Sequence, residues 1–147
     1  MISESELEQI LNNEIPITKS LGISVESIYE NKVCLKAPLE NNINHKLTAF
    51  GGSLYSVTVL TGWSMVYLLL KRLNIEAHIV IQHSEIDYLI PVKEDFIACC
   101  EVLSDTKVNK FLKVYKRKGR ARLMLDVTVM MGDQRAVHFS GDYVVHK

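Results

Sequence analysis

The chain changes its apolar period several times. Leu7, Ile10 and Leu11 recur at helical spacing behind Ser3 and Glu6, a Ser-x-x-Glu capping box, so a short helix is expected over residues 3–13, ended by Pro16. Beyond Gly22 the pattern becomes strand-like, and residues 23–29 and 32–37 suit two strands joined by a turn at Glu30-Asn31. Pro38 and the run Asn41-Asn42-Ile43-Asn44 read as loop. No residue from Leu47 to Leu70 is charged. A helix from about Gly51 to Leu73 fits this stretch, roughly 35 Å long at 1.5 Å per residue. Everything after it reads as strand: residues 77–89, 96–103, 110–118, 120–131 and 136–145, with turns near Asp105, Gly119 and Gly132-Asp133.

A helix that is apolar on nearly every side has to be covered on nearly every side. One antiparallel sheet curved around a single long helix does this, which makes the fold class α+β and the whole chain, 1–147, one domain. The uncharged run is long enough to span a membrane. Its six Ser or Thr residues and three glycines, with alternating strands around it, favour burial inside a sheet, so no membrane association is expected. A lone sheet leaves an edge exposed. The strand over 77–89 is the candidate edge for pairing with a second copy, giving a homodimer or a dimer of dimers.

Composition narrows the partners. Seventeen basic residues balance seventeen acidic ones, so no overall field draws the chain to nucleic acid or to an anionic membrane. The local exception is Lys113, Lys116, Arg117, Lys118, Arg120 and Arg122. This cluster reads either as the solvated ends of two strands around Gly119 or as a docking patch for an acidic carrier or a nucleotide phosphate. Cys34, Cys99 and Cys100 lack metal-ligand spacing, and strand alternation sets Cys99 and Cys100 on opposite faces. All three are expected to be reduced packing residues in a cytoplasmic protein. Glu4, Glu6 and Glu8 near the start do not fit a signal peptide.

The chemistry concentrates where the uncharged helix begins. Two adjacent glycines, Gly51 and Gly52, let a ligand approach the backbone closely, and the first amides of a helix have no intrahelical partner. The helix dipole favours negative charge at that point. Asn44 could orient water or a carbonyl through its amide, or simply cap the loop. His45 titrates in the range of a general base, although a loop histidine beside Lys46 also suits plain solvation. Tyr55, Trp63, Met65 and Tyr67 fit either an acyl tunnel or ordinary core. No phosphate loop, dinucleotide fingerprint, nucleophile elbow or metal-binding His-Glu-x-x-His occurs in the sequence.

The segment Asn44-His45-Lys46-Leu47-Thr48-Ala49-Phe50-Gly51-Gly52 resembles the active-site segment of hotdog-fold thioesterases. There an Asn precedes a Thr, and a His or Phe leads into Gly-Gly at the central helix. The longer run from Phe50 to Ser53, with Tyr55 and Leu60-Thr61-Gly62-Trp63, resembles the thioesterase-like domain at the C-terminus of YiiD-type acetyltransferases. Ile86-Asp87-Tyr88-Leu89-Ile90-Pro91 resembles a strand common in hotdog enzymes. The resemblance runs from about Pro16 to Val145.

The resemblance implies a hotdog fold that dimerises through edge strands. The implied activity is hydrolysis of an acyl-CoA or acyl-carrier-protein thioester, with no cofactor and no metal. Gly51 and Gly52 would hold the oxyanion and Asn44 would position water or carbonyl. His45, or His83 or Glu85 from a partner chain, would take the proton. Thr48, Phe50, Ser53, Tyr55, Thr58 and Thr61 would line the substrate. The alternative is a dimeric module that binds acyl thioesters without cleaving them, because the acid usual on the helix is replaced by Val59. Hydration or dehydration of acyl thioesters would need a His with an acidic partner on the helix, which carries neither. Strand alternation also turns His83, Glu85 and Asp87 away from the face shared by Ser84, Ile86 and Tyr88.

Overall fold

The computed structural model describes residues 1–29, 32–101 and 104–147. Ser3 caps the first helix, α1 (Glu4–Glu14), by accepting from the Glu6 amide at 3.1 Å, as its sequence requires. A single-turn helix, α2 (Ile17–Leu21), follows Pro16 and ends at Gly22, whose φ of 72° supplies the left-handed cap. Strands β1 (Ser24–Tyr29) and β2 (Lys32–Ala37) come next, and then the long helix α3 (Gly51–Arg72). The rest of the chain is β3 (His78–Tyr88), β4 (Phe96–Glu101), α4 (Asp105–Lys118), β5 (Arg120–Met131) and β6 (Gln134–His146). The expected turn at Glu30-Asn31 and the last two residues of the strand expected over 96–103 lie outside the described residues.

All six strands form one antiparallel sheet in the order β1-β2-β4-β5-β6-β3. Helix α3 lies in its concavity and touches β2, β3, β4, β5 and β6. Val57, Val66, Thr58, Thr61 and Ser64 on α3 are fully buried. The three hydroxyls donate back to main-chain carbonyls one turn earlier, at Leu54 (2.9 Å), Val57 (2.7 Å) and Leu60 (2.7 Å), which is how polar side chains are carried through the core. By length and composition α3 could cross a membrane, yet 67% of its most apolar window is buried within this fold.

Two expectations are corrected. Residues 110–118 are not a strand but the body of α4. Ser104 caps it by accepting from the Lys107 amide at 3.3 Å, Phe111 and Tyr115 point inward, and Gly119 closes it at φ 70°. The basic cluster is therefore a helix end running into a strand, not two strand ends. The cysteines are not all reduced: Cys34 and Cys99 form a disulfide, and Cys100 alone is free and buried. Strand alternation does separate Cys99 from Cys100. The β2–β4 register, however, sets Cys34 directly opposite Cys99, a pairing between strands far apart in sequence. The cytoplasmic expectation loses its cysteine argument with this bridge.

The two sheet edges differ. Along β1, the amides of Val25 and Ile28 donate to the carboxylates of Glu8 (3.0 Å) and Glu4 (3.4 Å), so α1 covers that edge. Among the described residues, strand β3 pairs only with β6. It is the free edge, as expected, and Val80 on it is 47% exposed.

Candidate active site

The approach to α3 is built from main-chain bonds and one buried amide. Asn42 is 2% exposed, and its Nδ2 donates to the Leu21 and Pro38 carbonyls at 2.9 and 2.8 Å, pinning the loop to the end of α2. Its carbonyl accepts from the Phe50 amide at 2.7 Å, and the Ala49 amide donates to Val92 O at 2.8 Å. Phe50 is thus held in extended geometry (φ −65°, ψ 134°) immediately before the helix.

From there the chain turns into α3. The first intrahelical bond runs from the Leu54 amide to Phe50 O at 3.0 Å. The amides of Gly51, Gly52 and Ser53 precede it and have no acceptor within the helix, and Phe50 supplies none from its side chain. No acidic residue sits in the first turn, whereas Lys71 and Arg72 offset the dipole at the other end. The helices α1 and α4 both place carboxylates at their starts. Only α3 of these three presents a positive end with no acid beside it, and such an end attracts a developing negative charge.

Space constrains Gly52 more than Gly51. A Cβ on Gly52 would stand 2.5 Å from the Phe50 ring, which folds over it, and one on Gly51 would touch Tyr88 at 3.5 Å. The Tyr88 hydroxyl donates to Gly51 O at 2.9 Å. Burial, and then the Tyr55 phenol, push the Tyr88 pKa up from its ordinary value, so it stays a donor. Tyr55 in turn shares a 2.7 Å hydrogen bond with Ser84 on β3. Tyr88 escaped the sequence reading as a site residue because only the three-dimensional approach of β3 to the helix start reveals it.

The other expected residues divide clearly. Asn44 organises its own loop: Oδ1 accepts from the Lys46 (2.8 Å) and Thr48 (3.1 Å) amides, and Nδ2 donates to Thr48 Oγ1 at 2.9 Å. This is the loop-capping alternative, and it engages Thr48 too. His45 is exposed at the loop tip beside Leu47, which holds a left-handed φ of 62°. Ser53 is buried in the first turn, and Thr58 and Thr61 are sealed with their hydroxyls bonded to the helix. Phe50, 56% exposed, and Tyr88, 52% exposed, flank the helix start.

His83 and Glu85 do not join this group. They lie on the outer face of β3, where they pair with each other at 3.8 Å, both largely exposed. A bulge does interrupt β3, between Ile81 and His83, but it precedes His83 and leaves Ser84, Ile86 and Tyr88 on the helix side. Cavities of about 720, 670 and 890 Å³ lie elsewhere on the chain, and none is lined by Gly51 or Gly52. The helix start faces solvent instead.

One antiparallel sheet around a single long helix, opened by a Phe-Gly-Gly turn, defines a hotdog-fold protein. Comparison with known proteins places it further. Residues 4–147 match the family described as "Putative thioesterase (yiiD_Cterm)", and the chain belongs to that family. A protein of unknown function from Chlorobaculum tepidum TLS is 33% identical, over 98% of this chain and 94% of that one, with a TM-score of 0.93. A crystal structure described as "the putative thioesterase from Shewanella oneidensis" is 30% identical, over 98% and 97% of the two chains, with a TM-score of 0.88. A Pseudomonas aeruginosa protein titled a probable thioesterase shares the fold at 14% identity, over 99% and 96%, with a TM-score of 0.84.

Proposed function

We propose that the chain hydrolyses an acyl thioester of coenzyme A or of an acyl carrier protein at the start of α3. The observation that carries this reading is the set of three unpaired first-turn amides, on a long helix whose positive end has no neighbouring acid. Attack on a thioester carbonyl puts negative charge on its oxygen. The Gly51 and Gly52 amides are the donors that would hold it, each worth on the order of 3 kcal/mol of transition-state stabilisation. The exposed Phe50 and Tyr88 rings would flank the acyl group.

The second wall of the cleft would come from another copy. The open β3 edge, opposite an α1-covered β1 edge, supports pairing through β3 and a shared site. His45 remains a candidate for the proton acceptor, because it is exposed and free to meet a substrate. His83 and Glu85 point away from the helix start of their own chain, so either would serve this role only from a partner chain.

A non-hydrolytic acyl-binding module is favoured by one observation: α3 carries no Asp, Glu or His, and Val59 stands where the family's helix acid is expected. Mixing the protein with a panel of acyl-CoA esters and a thiol reagent separates the two. Thiol release with turnover supports hydrolysis. Saturable binding without release supports the module.

A further inference from the structure

We propose that the groove between α4 and the first half of β5 docks an acidic, amphipathic helix of a partner protein. The groove, about 670 Å³, is lined by Lys107, Lys110, Lys118, Arg120 and Arg122 and by no carboxylate. The ion pairs among the described residues are Lys32–Glu101, His83–Glu85 and His138–Asp126, so none of the five cations is neutralised by one. On a chain with equal numbers of acidic and basic residues, this is a concentrated positive field. An acidic partner would complement it.

The floor decides which polyanion fits. Val114, Met124 and Val144 line it, with Met124 52% exposed and Val144 4% exposed. The groove adjoins a second depression, also lined by Arg120 and Val144 and extended by Val80, which is 47% exposed. An apolar trough rimmed by cations suits a helix with an apolar ridge between carboxylates. Nucleic acid would want an exposed ring for its bases, and the one aromatic lining residue, Phe111, is 3% exposed. A bilayer would want protruding apolar side chains, whereas most of these are recessed.

The groove is separate from the proposed active site. Tyr88 pairs with Val137, and Val137 with Val129. From Val129 back to Arg122 is seven residues along β5, roughly 23 Å at 3.3 Å per residue. Arg120, Arg122 and Met124 also lie on the exposed face of that strand, turned from α3. Docking and hydrolysis can therefore fail independently.

The test is fluorescence anisotropy on the full chain at low salt, with four probes. These are a synthetic helix with a leucine stripe flanked by glutamates, the same helix with glutamine for leucine, poly(U) RNA and anionic phosphatidylglycerol vesicles. The leucine–glutamate helix should bind at least about tenfold tighter than the glutamine version, and Lys110→Glu with Arg122→Glu should weaken it by at least about tenfold. Both positions are exposed, and an unchanged melting curve confirms the fold. If that pair melts early, Lys107→Glu alone is expected to weaken binding in the same direction. Equal binding of the glutamine helix, tighter binding of RNA or vesicles, or no effect of either charge reversal overturns the proposal.

Discussion

Tyr88 touches Gly51 through its carbonyl, and that carbonyl belongs to the same amide plane as the Gly52 N–H. A hydrogen bond accepted at the oxygen polarises the whole group and makes its N–H a stronger donor. Tyr88→Phe should therefore lower kcat about fivefold, with KM within about twofold, since about 1 kcal/mol of donor strength is lost where charge develops. The phenol's pKa is raised above 10.0 by burial, so the protonated donor persists beyond the range of an ordinary tyrosine. The ratio of wild-type to Tyr88→Phe rates should accordingly shrink only at a pH above that at which an ordinary tyrosine ionises. A ratio that collapses below pH 10 would contradict the assignment. At this scale the sequence singled out Gly51 and Gly52 as helix-opening glycines, suited either to oxyanion binding or to close packing of helix on sheet, and the structure places both in the first turn of α3. The sequence could not show that Asn42, and not Asn44, is the buried anchor, because that depends on where the end of α2 lies. The outward direction of His83 and Glu85 was readable from alternation alone.

Among the elements, α3 is legible from its uncharged length, while α4 was misread in spite of its signals. Val108, Phe111, Leu112 and Tyr115 recur at helical spacing between a Ser cap and a Gly stop. Phe111, Val114 and Tyr115 are also strand-favouring residue types, and Gly119 between two basic runs reads equally as a hairpin turn, so the helical period lost to them. Gly62 illustrates what no period reveals: its missing Cβ leaves room for the Tyr143 hydroxyl, which donates to Val59 O at 2.7 Å. Gly62→Ala should cost about 3 kcal/mol in urea unfolding, through overpacking and a lost buried hydrogen bond, and adding Tyr143→Phe should return part of it. A neutral Gly62→Ala would mean the helix has slack at this crossing. The Cys34–Cys99 bridge closes a separation of 65 residues, which the chain-entropy treatment values at about 4 kcal/mol. Replacing both cysteines by serine should lower the unfolding free energy by about 2–4 kcal/mol. A double variant as stable as wild type would show that the crosslink is not formed in the folded protein.

For the whole molecule, the curved antiparallel sheet around one long helix was available from patterning, since a helix apolar all round has few ways to be buried, whereas the places of α2 and α4 in the order were not. The strand order and the covered β1 edge were not either, because the first rests on pairing between strands far apart in sequence and the second on contacts between α1 and β1, neither of which a local pattern encodes. With one edge closed by Glu4 and Glu8 and the other open, sedimentation at micromolar concentration should give at least a dimer. A monomer would remove the second wall of the proposed site. The most direct test of the central claim compares wild-type chain with Gly52→Val in thiol release from the acyl-CoA ester it turns over fastest. A valine there drives side-chain bulk into the space before the free amides and displaces the Phe50 ring. With the fold intact by circular dichroism and melting, the predicted result is a fall in kcat/KM of at least about 100-fold. Undiminished hydrolysis by a folded Gly52→Val chain would contradict it.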